Sequence, residues 1–361
     1  MYLRHRRIAV AAISILALAA AACGSGNASP EGSNAASGGT TCEPAESPIV
    51  TLAAYSNVYD TYGKLTSDFT KAWKEEHDQN VIFQLSFGGS TTQAQNVVNG
   101  LEADIVALSL APDVQLIQDA GLITHDWTKE TDNGIVASSA VVFDVRPGNP
   151  KHIENWDDLA QPGIEILTPD PAQSGGARWN IVAAYGASMR GKVDGYQADD
   201  PADAQKLLTG IFSNVTVLDK SANDSLKNFQ AGNGDVAITY EYAVLAAQAA
   251  GGEDEMVIPP STVDIQTPVA VVDVNAEKHC VEDIANAFVE YLHTPDAQEV
   301  FNSVGYERPI PQADAQKGDG DQFAPIDDYF TTDEIGGWDE LQSTVFGDNG
   351  AFTKAFQEAQ G

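Results

Sequence analysis

Three short segments hold the residues best suited to chemistry. They are Gly88-Gly89-Ser90-Thr91-Thr92, Ser174-Gly175-Gly176-Ala177-Arg178-Trp179 and Asp219-Lys220-Ser221-Ala222. Each follows a short apolar, strand-like run and precedes a helix-like one, so each reads as a strand-to-helix junction. A helix start leaves backbone N–H groups without acceptors and carries partial positive charge. Glycine lets a ligand approach that backbone closely. Three such starts facing one cleft make an anion site that needs no cationic side chain. For any one junction alone, capping by Ser or Gly is the simpler reading. Their coincidence is what points to a site.

Catalytic signatures are weak by comparison. The histidines at 5, 77, 125, 152, 279 and 293 show no His-x-x-x-His spacing, and no Gly-x-Ser-x-Gly elbow occurs. Gly186 to Lys192 fits Gly-x4-Gly-Lys, but Val193 stands where a phosphate loop needs Ser or Thr. Asp319-Gly320-Asp321 reads as a solvated turn rather than a calcium loop. No catalytic residue, metal site or cofactor is expected. The chain has 361 residues, with 19 Lys+Arg against 52 Asp+Glu, a net charge of −33. No basic cluster follows residue 7, which argues against nucleic acid. Charge alone suggests a cationic or neutral ligand, the opposite of what the three junctions suggest.

The elements that must position these junctions alternate along the chain. Strand-like runs at 49–55, 80–86, 104–108, 165–168, 215–218 and 236–239 are each followed by helical periodicity, the pattern of a mostly parallel α/β sheet. Tyr59, Tyr62, Leu65, Phe69 and Trp73 share one helix face, and a second helix reads over Gln93 to Leu101. Two long apolar strands, 135–145 and 267–273, interrupt the alternation as crossings between two α/β lobes. Thr294-Pro295 reads as an N-cap and a first-turn proline.

The N-terminus reads as an export segment. Arg4, Arg6 and Arg7 precede an apolar run from Ile8 to Ala22, too short for a spanning helix. Ala20-Ala21-Ala22-Cys23 resembles a bacterial lipoprotein signal, which implies cleavage before Cys23, lipidation there and a lipid-anchored extracytoplasmic protein. Residues 1–22 are then the signal peptide and 23–47 a small, polar, flexible tether. Cleavage removes three arginines and no acids, for a charge of 16 − 52 = −36. Cys42 and Cys280, an even pair in an oxidising compartment, are expected to form a disulfide, with Cys280 opening a late helix.

Taken in order, the motifs resemble the sulfate-binding proteins of bacterial sulfate/thiosulfate ABC importers. The resemblance runs through Ser86 to Ala111, Val142 to Pro150, Asn155 to Leu159, Thr168 to Asn180, Asp333-Glu334 and Gly336-Gly337-Trp338. Ser174-Gly175-Gly176-Ala177-Arg178-Trp179-Asn180 is its most specific part. It implies a two-lobed solute-binding protein of the type II periplasmic kind, with a hinge cleft. Residues 48–140 and 266–361 form one lobe and 141–265 the other. The resemblance also implies that Ser56, Ser90, Gly175, Gly176 and Ala222 offer backbone N–H groups to sulfate and Ser174 its hydroxyl. Tyr240 stands where the family has a donating Trp, Ser56 where it has Asp, and Asn223 where it has Arg. The implied partners are membrane permease subunits driven by a cytoplasmic ATPase, with the binding protein a monomer and not an enzyme. Thiosulfate, molybdate or another tetrahedral oxyanion is the alternative ligand. A secreted ester hydrolase and an adhesin on the same fold are the rival classes.

Overall fold

The computed structural model describes residues 42, 45–310 and 322–360. The signal segment, Cys23, most of the tether and Asp319-Gly320-Asp321 lie outside the described residues. The chain opens with Ile49–Tyr55 (β1), Tyr59–His77 (α1), Ile82–Gly88 (β2), Ser90–Val98 (α2), Ile105–Ala107 (β3) and Ala111–Asp119 (α3). Ile135–Val145 (β4) leads to Trp156–Leu159 (α4), Ile166–Pro169 (β5), Gly175–Met189 (α5) and Pro201–Ser213 (α6). Then come Val215–Asp219 (β6), Ala222–Gln230 (α7), Val236–Tyr240 (β7), Glu241–Ala249 (α8), Glu255–Val257 (β8) and Ser261–Val271 (β9). The last part holds Asp273–His279 (α9), Glu282–Leu292 (α10), Pro295–Ser303 (α11), Asp328–Phe330 (β10), Gly337–Thr344 (α12) and Ala351–Ala359 (α13).

The strands follow the order β2-β1-β3-β9-β4-β7-β5-β6. β1 is parallel to β2 and β3, and β5 is parallel to β6 and β7. Between these two parallel groups run β9 and β4, antiparallel to each other and to their outer neighbours β3 and β7. The sheet is therefore mixed where a mostly parallel one was expected. The two antiparallel strands are the crossings. β4 pairs with β9 over Ile135–Ala140 and turns to β7 from Val141 onward.

β9 begins at Ser261, six residues before the expected start at Thr267. Asp264 and Gln266 break the apolar run in the sequence, yet Asp264 is buried. Ser138 Oγ, Tyr329 Oη (2.9 Å) and Gln266 Nε2 (3.1 Å) donate to its carboxylate. A buried charge survives in a strand only when it is satisfied in this way. α2 also begins earlier than expected, at Ser90 rather than Gln93, and Gly100 at φ 108° ends it.

α1 packs on the sheet and on α10 through Phe69, whose ring lies 5.9 Å from Phe83 and 5.2 Å from Phe288. Thr294 caps α11 by accepting from the Ala297 N–H, with Pro295 in the first turn. Cys42 and Cys280 are disulfide-bonded, with Cα atoms 5.3 Å apart. Cys280 caps the C-terminus of α9, at φ 58°, rather than opening a helix.

Candidate anion-binding cleft

The three junctions meet between the two parallel strand groups. β2 ends at Gly88, and Gly89 is the N-cap of α2. β5 ends at Pro169, and a turn organised by Asp170 delivers Ser174 as N-cap of α5. In that turn the N–H groups of Gln173 and Ser174 donate to the Asp170 carbonyl, and Ala172 N–H donates to its carboxylate at 2.9 Å. Asp170 N–H donates in turn to the Asp219 carbonyl at 2.7 Å, which joins the second junction to the third. Ser221 caps α7: its Oγ accepts from Asp224 N–H at 3.1 Å and donates to the Asp224 carboxylate at 2.9 Å. Asn180 Nδ2 donates to Thr168 Oγ1 and to the Ile238 carbonyl, locking α5 onto β5 and β7.

Glycine is required at positions 89 and 175, where these loops touch, whereas a Cβ at 176 would make ordinary contacts. A Cβ on Gly89 would overlap the Gln173 carbonyl oxygen and lie 3.2 Å from that of Lys220. A Cβ on Gly175 would overlap Ser109 Oγ, 2.9 Å from Leu110 Cγ and 3.0 Å from Ser90 Cβ. One on Gly176 would lie 3.4 Å from both Ala222 Cβ and Ser174 Oγ, and 3.6 Å from Tyr240 Cε1. Thr92 N–H donates to the Gln173 carbonyl at 3.3 Å, and Trp179 Nε1 donates to the Ser109 carbonyl. Loops from both strand groups therefore interlock.

The structure brings Ser90, Ser174, Gly175, Gly176, Ala222 and Tyr240 together. Ser90, Gly175, Gly176 and Ala222 occupy first-turn positions of α2, α5 and α7, ahead of any acceptor within their own helix. The Ser90 hydroxyl has another task. It donates to Asp113 Oδ2 at 2.6 Å and accepts from Ser109 N–H at 3.0 Å, so its backbone is the part left for a ligand. Tyr240 ends β7, is buried, and stands edge-on to Tyr242 with centroids 5.5 Å apart. Ser56 stands apart from this group. It opens the short turn Ser56–Val58 and lines a neighbouring cavity of about 560 Å³ with Asn223, Lys227 and Tyr242. Its hydroxyl donates to Asn57 Oδ1 at 2.9 Å.

Ser109 is the residue that sequence reasoning missed. It follows β3 within Leu108-Ser109-Leu110, one residue ahead of the Leu110 N-cap of α3, and no glycine marks it. Its Oγ and the Tyr240 Oη are both buried without a hydrogen-bond partner. The two are neighbours: burial pushes the Tyr240 phenol far up, and the Ser109 hydroxyl beside it pulls the other way. The phenol is neutral at physiological pH and keeps its proton to donate.

The electrostatics behind the loops balance. Burial raises the Asp113 carboxyl to about 6, against the hydroxyls of Ser90 and Thr91 and the charge of Arg178, which lower it. Arg178, in the first turn of α5, stacks on Phe346 with its guanidinium carbon 4.8 Å from the ring centroid. The cluster of loops presents N–H and O–H donors, while both formal charges stand behind it.

The comparisons with known proteins agree with this architecture. The family model described as bacterial extracellular solute-binding protein matches residues 50–307. The sulfate-binding protein of Synechococcus elongatus is 38% identical over 94% of this chain and 93% of its own length. That of Salmonella typhimurium is 39% identical over 83% of this chain and 90% of its own. Among solved structures, the sulfate-binding protein SubI from Mycobacterium tuberculosis H37Rv superimposes with a TM-score of 0.73 at 31% identity, covering 83% of this chain and 99% of that one. These relatives are solute-binding proteins and not enzymes. The chain, a two-lobed α/β protein, belongs to the bacterial extracellular solute-binding protein family.

Proposed function

We propose that the chain captures sulfate outside the cytoplasm and delivers it to an ABC importer. Cys23 is the lipid-bearing residue that tethers it to the membrane, and permease subunits with a cytoplasmic ATPase are its partners. Residues 48–140 and 266–361 form one lobe, 141–265 the other, and β4 and β9 are the hinge. Among the described residues, no helix is long and apolar enough to cross a membrane. The observation that carries the reading is the convergence of the first turns of α2, α5 and α7 on one cluster with the Ser109 and Tyr240 hydroxyls.

Hydrogen-bond inventory explains why sulfate fits. The dianion carries no proton at neutral pH and only accepts. The N–H groups of Ser90, Gly175, Gly176 and Ala222 donate to it, joined by the hydroxyls of Ser174, Ser109 and Tyr240. Hydrogen phosphate brings one proton that needs an acceptor. Among donors that proton is a buried polar group without a partner, at about 1–3 kcal/mol, so rejection is tenfold or better. Thiosulfate and molybdate also only accept, so size alone separates them from sulfate.

Isothermal calorimetry tests the reading. Sulfate is expected to bind saturably and in the micromolar range or tighter. Gly175→Asp, which places a carboxylate among the donors, abolishes the signal. Gly175→Ala weakens it, because its Cβ meets Ser109 and Leu110 when the loops interlock. Unchanged affinity in both variants would refute the role of the second junction.

A further inference from the structure

One buried carboxyl lies behind the cleft and is not among its donors. Glu307 follows α11 and is buried. Its N–H donates to the Phe301 carbonyl at 3.0 Å, and the N–H of the next residue, Arg308, donates to the Ser138 carbonyl of β4 at 2.8 Å. Glu307 is thereby fixed between α11 and a crossing strand. Tyr55 Oη donates to its Oε1 at 2.9 Å. Its Oε2 is buried without a hydrogen-bond partner. The neighbouring guanidinium of Arg308 is turned to Glu241, whose carboxylate accepts from Nε and Nη2.

The groups that face Glu307 are phenols. Tyr55 comes from β1, Tyr62 from α1, and Tyr240 and Tyr242 from the end of β7 and the start of α8; all four are buried. The charge of Glu307 holds the proton of each more tightly. These rings lead to the cleft. The Tyr242 hydroxyl lies beside the Tyr55 hydroxyl and the Asn57 amide, and Tyr240 stands edge-on to Tyr242 beside the Ser109 hydroxyl. The field of Glu307 thus reaches a donor of the anion cluster through buried side chains, where charges are screened far less than at the surface.

Burial pushes the Glu307 carboxyl up to about 8. A dianion held in the cleft makes ionising it costlier still, since like charges in one interior favour the protonated form. We propose that sulfate binds together with a proton, which the Glu307 carboxylate takes from solvent as the anion enters and returns as it leaves. This inference rests on the sulfate reading. Sulfate itself stays deprotonated in this range, so the proton is not the ligand's. Asp113, the other carboxyl whose charge reaches Tyr240, titrates near 6 and is ionised above pH 7.

Calorimetric titration of the full chain with sulfate at pH 8, in Tris and in tricine, reads the proton directly, because the two buffers give different heats per proton released. Uptake of up to about half a proton per sulfate is expected, since about half of the free protein lacks it there. Affinity falls by about three- to tenfold between pH 7 and pH 9. Glu307→Gln, whose amide oxygen still accepts from Tyr55, removes both the uptake and the pH dependence. Asp144→Asn, on a separate buried carboxyl raised to about 7, leaves the uptake unchanged. Equal enthalpies in the two buffers for the unaltered chain, or uptake that persists in Glu307→Gln, overturn the proposal while sulfate binding stands. No sulfate binding in either buffer overturns the sulfate reading and this inference with it.

Discussion

At the scale of single residues, the cleft turns on which donors are already committed. Ser90 shows the division: its hydroxyl serves Asp113 and Ser109, while its first-turn N–H has no acceptor within its helix. Tyr240 is the opposite case, a buried hydroxyl that sits beside the equally buried Ser109 hydroxyl. Tyr240→Phe is expected to weaken sulfate binding by about 10- to 100-fold, the range for a hydrogen bond to a charged group. An unchanged affinity by calorimetry would make Tyr240 a packing residue only. The glycines of the second junction were legible in the sequence because their spacing before a helix has a physical meaning. Ser109 was not legible, because a serine after a buried strand becomes a donor only through what the fold places opposite it, here Gly175 and Tyr240.

At the scale of elements, the helix starts must be rigid to hold dipoles in place. Ser221 does this for α7 by a reciprocal bond with Asp224. Ser221→Ala removes the cap, at about 1 kcal/mol of stability, and frees the Ala222 N–H to wander. Urea unfolding should show a lower midpoint, and sulfate affinity should fall with it. A variant with full affinity would detach α7 from the site. Strands and helices with clean periodicity, such as β1, α1 and β4, could be read directly from the sequence. β9 could not be read in full, because Asp264 and Gln266 look like a break until Ser138, Tyr329 and Gln266 are seen to donate to the Asp264 carboxylate. The mixed character of the sheet was hidden as well. Periodicity reports which face is buried, but not the direction in which a strand runs.

At the scale of the whole molecule, acidity and ligand choice separate. Surface carboxylates act through water and are screened over about 8 Å, whereas the loop donors act at about 3 Å. A net charge of −33 and a proposed dianionic ligand are therefore compatible. Acidity bears on stability instead. Burial raises the carboxyls of Asp113 to about 6, Asp144 to about 7 and Glu307 to about 8. Across roughly pH 5 to 8 the folded chain keeps protons at these sites that the unfolded chain has released. Their contribution is complete below the ordinary carboxylate range and is lost as pH rises through 6 to 8, where self-repulsion also grows. The urea midpoint should be higher at pH 5.5 than at pH 8, and a higher midpoint at pH 8 would contradict these assignments. The central claim is that the cleft offers donors only. Paired calorimetric titrations with sulfate and with phosphate at pH 7.5 test it most directly. Saturable sulfate binding, with phosphate at least tenfold weaker, is the expected result; phosphate binding as tightly as sulfate, or no sulfate binding at all, would contradict it.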